Sequence, residues 1–138
     1  MILLVVDSSA LIALFHEKDA NHVKAEQLFN QISQAKLRVI YPATILVETV
    51  DTMLRKIKDR SVAETVAELI LSAQISDIES IAAEDIKASS KVFKDNPDKR
   101  KTLADATVAV TAKKYDAVVF GFDKGFKDLG FKLAEEVL

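Results

Sequence analysis

Three aspartates in this chain stand where an ionised side chain is costly to place. The run TLADATVAVTA, Thr102 to Ala112, carries Asp105 as its one acid. At about 100° per residue, Val108, Ala109 and Ala112 share a helix face with it. An unpaired carboxylate moved from water into protein costs on the order of several kcal/mol. Asp105 should therefore be paired, metal-bound or at the mouth of a cleft. Asp7 directly follows the apolar run ILLVV, and Asp123 directly follows VVFGF. Ligand sites in open parallel sheets form at the carboxyl ends of strands, near the point where strand order reverses. Two acids at such ends become neighbours when their strands are adjacent, and Asp105 joins them if its helix starts on that side of the sheet. Each also has a structural reading: Asp7 as a helix cap, Asp123 as a turn residue before KGF.

Carboxylates gathered in a cleft repel one another and need a cation to stay ionised. The chain has no cysteine and two histidines, His16 and His22, six residues apart without metal-ligand spacing. Oxygen-only ligands favour Mg²⁺ or Mn²⁺, one ion or two, over zinc. Such ions orient a water, lower its pKa and stabilise charge on a phosphoryl oxygen, so phosphodiester hydrolysis is the leading chemistry. A receiver domain or an aspartate-nucleophile phosphatase also places an aspartate after the first strand. The sequence DSS lacks the second acid of a D-x-D motif, and no paired acid precedes Asp7.

The elements that must position these acids form one domain over residues 1–138, a length that buries roughly two thirds of the unfolded surface in a single core. With 49% hydrophobic and 29% charged residues, three Gly and two Pro, the composition is compact and helix-rich. The absence of cysteine excludes disulfides, thiolate zinc sites and thiol nucleophiles, and fits a reducing, cytoplasmic setting. ILLVV is too short for a membrane span and lacks the basic flank of a signal peptide. The net charge of −2 hides a local patch: Lys87 to Lys101 holds six basic residues against Asp95 and Asp98. A positive rim beside an acidic cluster suits a polyanionic substrate.

ILLVV reads as a buried strand, followed by a polar turn and the short helix ALIALFH. Ala20, Val23, Leu28 and Ile32 predict a helix from Asp19 to about Ile32, and LRVIYP a strand ended by Pro42. Leu46, Val50, Met53 and Ile57 predict the next helix, capped by Thr44. Ser61 with Glu64 starts another, antiparallel to it. QISDIES is a weaker strand, followed by a helix from about Ile81 to Phe93 and the loop KDNPDKRK. DAVVFGF is a buried strand, and FKLAEEVL closes the chain as strand or helix. Strands that are continuous apolar runs, alternating with helices, predict an α/β fold: a mostly parallel sheet in a three-layer α/β/α sandwich. Glu48 has no claim from periodicity, because it lies opposite the Leu46, Val50, Met53, Ile57 line with Thr44, Asp51, Thr52 and Arg55.

Taken in order, VVDSSALIALF, YPATILVETV, TLADATVAVTA and VVFGFDKGF resemble the PIN domain family, especially its small toxin ribonucleases of toxin–antitoxin pairs. The match spans Met1 to about Phe126. The resemblance implies an acidic metal site of Asp7, Glu48, Asp105 and Asp123, supported by Ser9; Glu48 enters on this ground alone. It also implies Mg²⁺ or Mn²⁺, RNA cleavage, frequent homodimers and an antitoxin partner whose peptide lies between the two middle helices. Lys99, Arg100, Lys101 and Lys124 are the expected RNA contacts. The chain departs from the family in carrying Gly121 and Gly125, where members often have Thr or Ser and a further acid. A binding module that cleaves RNA poorly is therefore the alternative.

Overall fold

Leu4, Val5 and Val6 are fully buried, which requires cover on both faces of the strand that carries them. The computed structural model describes residues 2–72 and 77–138. In chain order the elements are β1 (Leu3–Val6), α1 (Ser8–Phe15), α2 (His22–Gln34), β2 (Arg38–Pro42), α3 (Ala43–Ile57), α4 (Arg60–Ser72), β3 (Ile78–Glu79), α5 (Ala83–Asp95), α6 (Leu103–Tyr115), β4 (Val118–Phe120), α7 (Gly125–Asp128) and α8 (Ala134–Val137). The sheet is four-stranded in the order β3-β2-β1-β4, and every pairing is parallel.

The strand order dictates the layers. From β1 through β3 the chain steps in one direction along the sheet, then returns past β1 to place β4. Parallel crossovers are right-handed, so the return connection carrying α5 and α6 crosses the face opposite to α1 through α4. The result is the expected α/β/α arrangement. One core spans both faces of the sheet, joining Leu4, Val6 and Phe120 to Leu28, Ile45 and Val108. Phe120 also meets Phe29 at 4.6 Å between ring centroids. A second cluster of Ile12, Met53, Val66 and Ile70 fills the space between α1, α3 and α4. The reversal of strand order falls between β1 and β4, so the carboxyl ends of those strands frame the crevice where a site is expected.

Several local expectations are corrected. Thr44 does not cap α3. Pro42 stands at the N-cap without a side-chain bond, and the Thr44 hydroxyl bonds that of Thr107 at 2.8 Å. Ser61 lies inside α4, and Asp59 accepts its amide and hydroxyl at 2.9 and 2.8 Å. The buried line of α3 is Ile45, Thr49 and Met53; of the predicted stripe Met53 lies on it, while Leu46, Val50 and Ile57 pack partly buried against the second cluster. Thr49 is hidden from a hydropathy pattern because its hydroxyl satisfies itself on the Ile45 carbonyl at 2.7 Å. Helix α2 begins at His22 and not Asp19, and α5 at Ala83. β4 ends at Phe120, short of Asp123. Of the predicted strand QISDIES, Gln74 to Ser76 lie outside the described residues. The C-terminal segment is both alternatives in turn: Leu133 bridges to Val119 in parallel before α8 begins. No helix among the described residues is long and apolar enough to cross a membrane.

Phe120→Ala should lower the unfolding free energy by about 3–5 kcal/mol, since the ring is fully buried between strand and helix layers; urea denaturation measures it.

Candidate active site

Asp7 ends β1, and its backbone amide donates to the Phe120 carbonyl at 2.8 Å, continuing the β1–β4 pairing by one residue. Its side chain is also the N-cap of α1: Oδ2 accepts the Ser9 amide at 3.3 Å and the Ser9 hydroxyl at 2.7 Å. The capping reading holds, and it uses one of the two oxygens. Oδ1 is buried without a hydrogen-bond partner. Burial pushes the Asp7 carboxyl up to about 7, Asp105 adds repulsion, the two Ser9 bonds oppose the rise, and Glu48 adds a little more.

Helix α3 brings Glu48 to the same place. Its Oε1 accepts the Ser8 hydroxyl at 2.9 Å, which ties α3 to the first turn of α1. The Glu48 carboxyl also lies above its ordinary range. Burial raises it, the Ser8 bond lowers it, Asp105 raises it, and Arg55 lowers it. Asp105 is the third residue of α6 and half-buried. Its Oδ2 accepts the Thr102 amide at 2.9 Å while its own amide donates to the Thr102 hydroxyl at 3.1 Å, a reciprocal capping box. Val108, Ala109 and Ala112, on the face predicted for it, are all buried. Asp7, Glu48 and Asp105 are therefore brought together from β1, α3 and α6.

Asp123 has different partners. Oδ1 accepts the Gly125 amide at 2.9 Å, and Oδ2 is paired with the Lys101 ammonium. It shares a small cleft with Asp105, lined also by Asn96, Lys101, Gly125 and Phe126. Arg100, Lys101 and Lys124 line a shallow depression on the other side of Asp123. Lys99 instead donates to the Lys94 carbonyl, and Arg100 pairs with Asp98. Lys101 pairs with Asp123, a contact that no sequence periodicity signals because the two are 22 residues apart.

Ser9 does more than support Asp7. Its hydroxyl oxygen accepts the Phe122 amide at 2.9 Å, so one serine joins the ends of β1 and β4. That closeness explains Gly121. A Cβ there would lie 2.9 Å from the Asp7 Cβ and 3.0 Å from the Ser9 Oγ, which leaves no room for Thr or Ser.

The donor set is all oxygen, and the buried, unpartnered Asp7 Oδ1 is the atom most in need of a cation, so the residues fit a hard divalent ion. Among the described residues no three His, Cys, Asp or Glu side chains converge closely enough to chelate one ion. Mg²⁺ keeps much of its water and takes one or two carboxylates directly. Acids that are electrostatically coupled without meeting at one point suit that habit.

The PIN domain family profile matches residues 4–132. None of the curated proteins compared by sequence matches. Among solved structures, the chain is similar to VapC20 of Mycobacterium tuberculosis, a sarcin–ricin loop cleaving toxin, at 23% identity and a TM-score of 0.77, covering 93% of this chain and 95% of that one. It is similar to VapBC of Salmonella typhimurium bound to DNA at 15% identity and a TM-score of 0.64, covering 96% and 97%. A third is PAE2754 of Pyrobaculum aerophilum, at 15% identity and a TM-score of 0.65, covering 99% and 92%. At these identities the likeness is one of fold.

Two outcomes are expected. With a chelator present, the wild type should lose stability as pH rises from about 4 to about 7, because folded Asp7 still holds a proton that the unfolded chain has released. Asp7→Asn should remove that loss and be the more stable protein at pH 8, on the order of a few kcal/mol; denaturation at several pH values reads the difference, and a pH-independent gap would contradict it. Gly121→Thr, which restores a polar residue, should destabilise by about 1–3 kcal/mol through overpacking against Asp7, seen as a lower urea midpoint.

Proposed function

Because the chain belongs to the PIN domain family, we propose that it is a metal-dependent endoribonuclease that hydrolyses RNA phosphodiesters at the carboxylate site. The observation that carries this reading is the gathering of Asp7, Glu48 and Asp105 at the carboxyl end of β1, with one buried oxygen of Asp7 unpartnered. Asp7, Glu48 and Asp105 would hold the ion directly or through water, and Asp123 completes the acidic set. A bound Mg²⁺ or Mn²⁺ supplies an activated water and stabilises charge developing on the phosphoryl group.

The chain's own residues orient that site and bring substrate to it. Ser9, Ser8 and Thr102 fix the rotamers of Asp7, Glu48 and Asp105 respectively. Arg100, Lys101, Lys124 and Lys127 line the depression beside Asp123 together with Asp98 and Asp128, and the small excess of positive charge would draw a phosphate backbone to it. Histidine is not needed as a base. His22 is occupied on α2, with Nδ1 on the Ala13 carbonyl and Nε2 beside Glu26.

The fold likeness to VapC20 and to VapBC complexes supports a toxin role, acting in the cytoplasm, restrained by a cognate antitoxin, with the chain itself a homodimer. Met53, Val66 and Ile70 pack between α3 and α4, where the antitoxin peptide is expected. A second apolar groove lies between α3 and the starts of α5 and α6, lined by Val47, Ile86 and Leu103, with Glu48 and Arg55 at its side, and offers such a peptide another place. A second reading, a PIN module that binds RNA or a protein without efficient cleavage, is favoured by one observation: Asp123 already holds an ammonium.

Cleavage of a mixed RNA pool by wild type and Asp105→Asn, with Mn²⁺, Mg²⁺ or chelator, separates the two. The nuclease should cut only with metal and only as wild type. Cleavage retained in Asp105→Asn would overturn the proposal. Folded wild type that binds RNA, more weakly as salt rises, but does not cut it would establish the binding module.

A further inference from the structure

Lys101 sits in the acidic site as its resident positive charge. Its ammonium contacts Asp123 Oδ2 and lies 3.8 Å from Asp98 Oδ2. The side chain is about four fifths buried, so the position is not that of a mobile surface lysine. Partial burial works against its charge, but Asp123, Asp98 and Asp105 together outweigh that and hold the ammonium above its ordinary range. Arg100 does not compete for Asp123, because its guanidinium pairs with Asp98.

The surroundings are shaped for this side chain. A Cβ on Gly125 would lie 2.9 Å from the Lys101 Cε and 3.1 Å from the Asp123 Oδ1. Gly125 therefore clears the path by which the lysine stem reaches the carboxylate. A side chain at that position would have to push aside the flexible end of the lysine, and the glycine itself supplies no oxygen donor to this corner. The opposite corner is different. There Asp7 keeps a buried oxygen without any partner, and Glu48 and Asp105 add repulsion to it. One corner is charge-paired by the chain's own lysine, and the other has no basic side chain bonded to its buried oxygen.

We propose that the Lys101 ammonium occupies the position that a second divalent ion would take at Asp123, so that the site binds a single Mg²⁺ or Mn²⁺ at the Asp7, Glu48 and Asp105 corner. The proposal rests on the reading of these acids as a metal site and concerns how many ions that site takes. A fixed monocation on Asp123 repels a divalent ion by Coulomb's law at short range and occupies the oxygen that ion would need. It offers charge to a neighbouring phosphate without requiring a second metal.

The test is Mn²⁺ binding at pH 7.5, followed by calorimetry and by electron paramagnetic resonance of free Mn²⁺. The proteins are wild type, Lys101→Met, Lys101→Gln and, as a charge control, Lys99→Met, each checked for folding by circular dichroism. Wild type and Lys99→Met should bind one ion. Lys101→Met and Lys101→Gln should gain a second, and a double variant with Asp123→Asn should return to one. Two ions in the wild type, or one ion still in both Lys101 variants, would overturn the proposal while leaving the metal site intact. No Mn²⁺ bound by the wild type would overturn both the proposal and the metal reading. The readout is a count of bound ions, so it does not depend on whether the protein cuts RNA.

Discussion

The burial of one carboxylate at the end of one strand constrains this whole molecule. Asp7 sits 2% exposed where β1 gives way to α1, and the fold makes the position tolerable with Ser9, whose hydroxyl bonds the carboxylate and accepts an amide from the chain leaving β4. Helix α1 starts there because the carboxylate caps it. β4 stays close because Gly121 carries no side chain to hold it off. The structural and chemical demands on Asp7 therefore do not compete. One oxygen is used by the fold, and the other is buried without a hydrogen-bond partner.

The remaining acids are placed by similarly few contacts. Glu48 and Asp105 each accept one hydrogen bond from a group at or near a helix start, Ser8 in one case and Thr102 in the other. Each belongs to a helix whose core face is locked by buried residues, Ile45, Thr49 and Met53 on α3 and Val108, Ala109 and Ala112 on α6. Rigid helices anchored far from the chemistry position carboxylates better than loops do. Asp123 is the exception, since it stands in the short segment between β4 and α7 and is steadied by the Gly125 amide and Lys101 instead.

The strands and their parallel order are legible in the sequence because buried parallel strands are continuous apolar runs, and ILLVV and AVVF are such runs. Asp105 is legible for the same reason reversed, as a charge on a stripe that is otherwise alanine and valine. Glu48 is not. Thr49 turns inward and satisfies its hydroxyl on the Ile45 carbonyl, and Thr44 bonds Thr107 on α6, so the hydropathy pattern of α3 finds Met53 but misses the polar part of the buried face. Lys101 reads as a surface contact because it belongs to a basic run, and only the tertiary fold brings it to Asp123. Gly121 reads as a missing hydrogen bond in one dimension and as a close approach of two strand ends in three.

The bridge between Val119 and Leu133 has a consequence for how this chain meets others. The outer side of β4 accepts Leu133 and is then covered by the turn into α8. At the far side of the sheet, β3 has only two residues, Ile78 and Glu79. A sheet stopped short on one side and blocked on the other gives little template for strand addition, the route by which unprotected edges aggregate. The exposed apolar side chains Val47, Ile86 and Leu103 stand on helices instead. The same few residues that close the sheet thus leave its backbone edges little open to another chain.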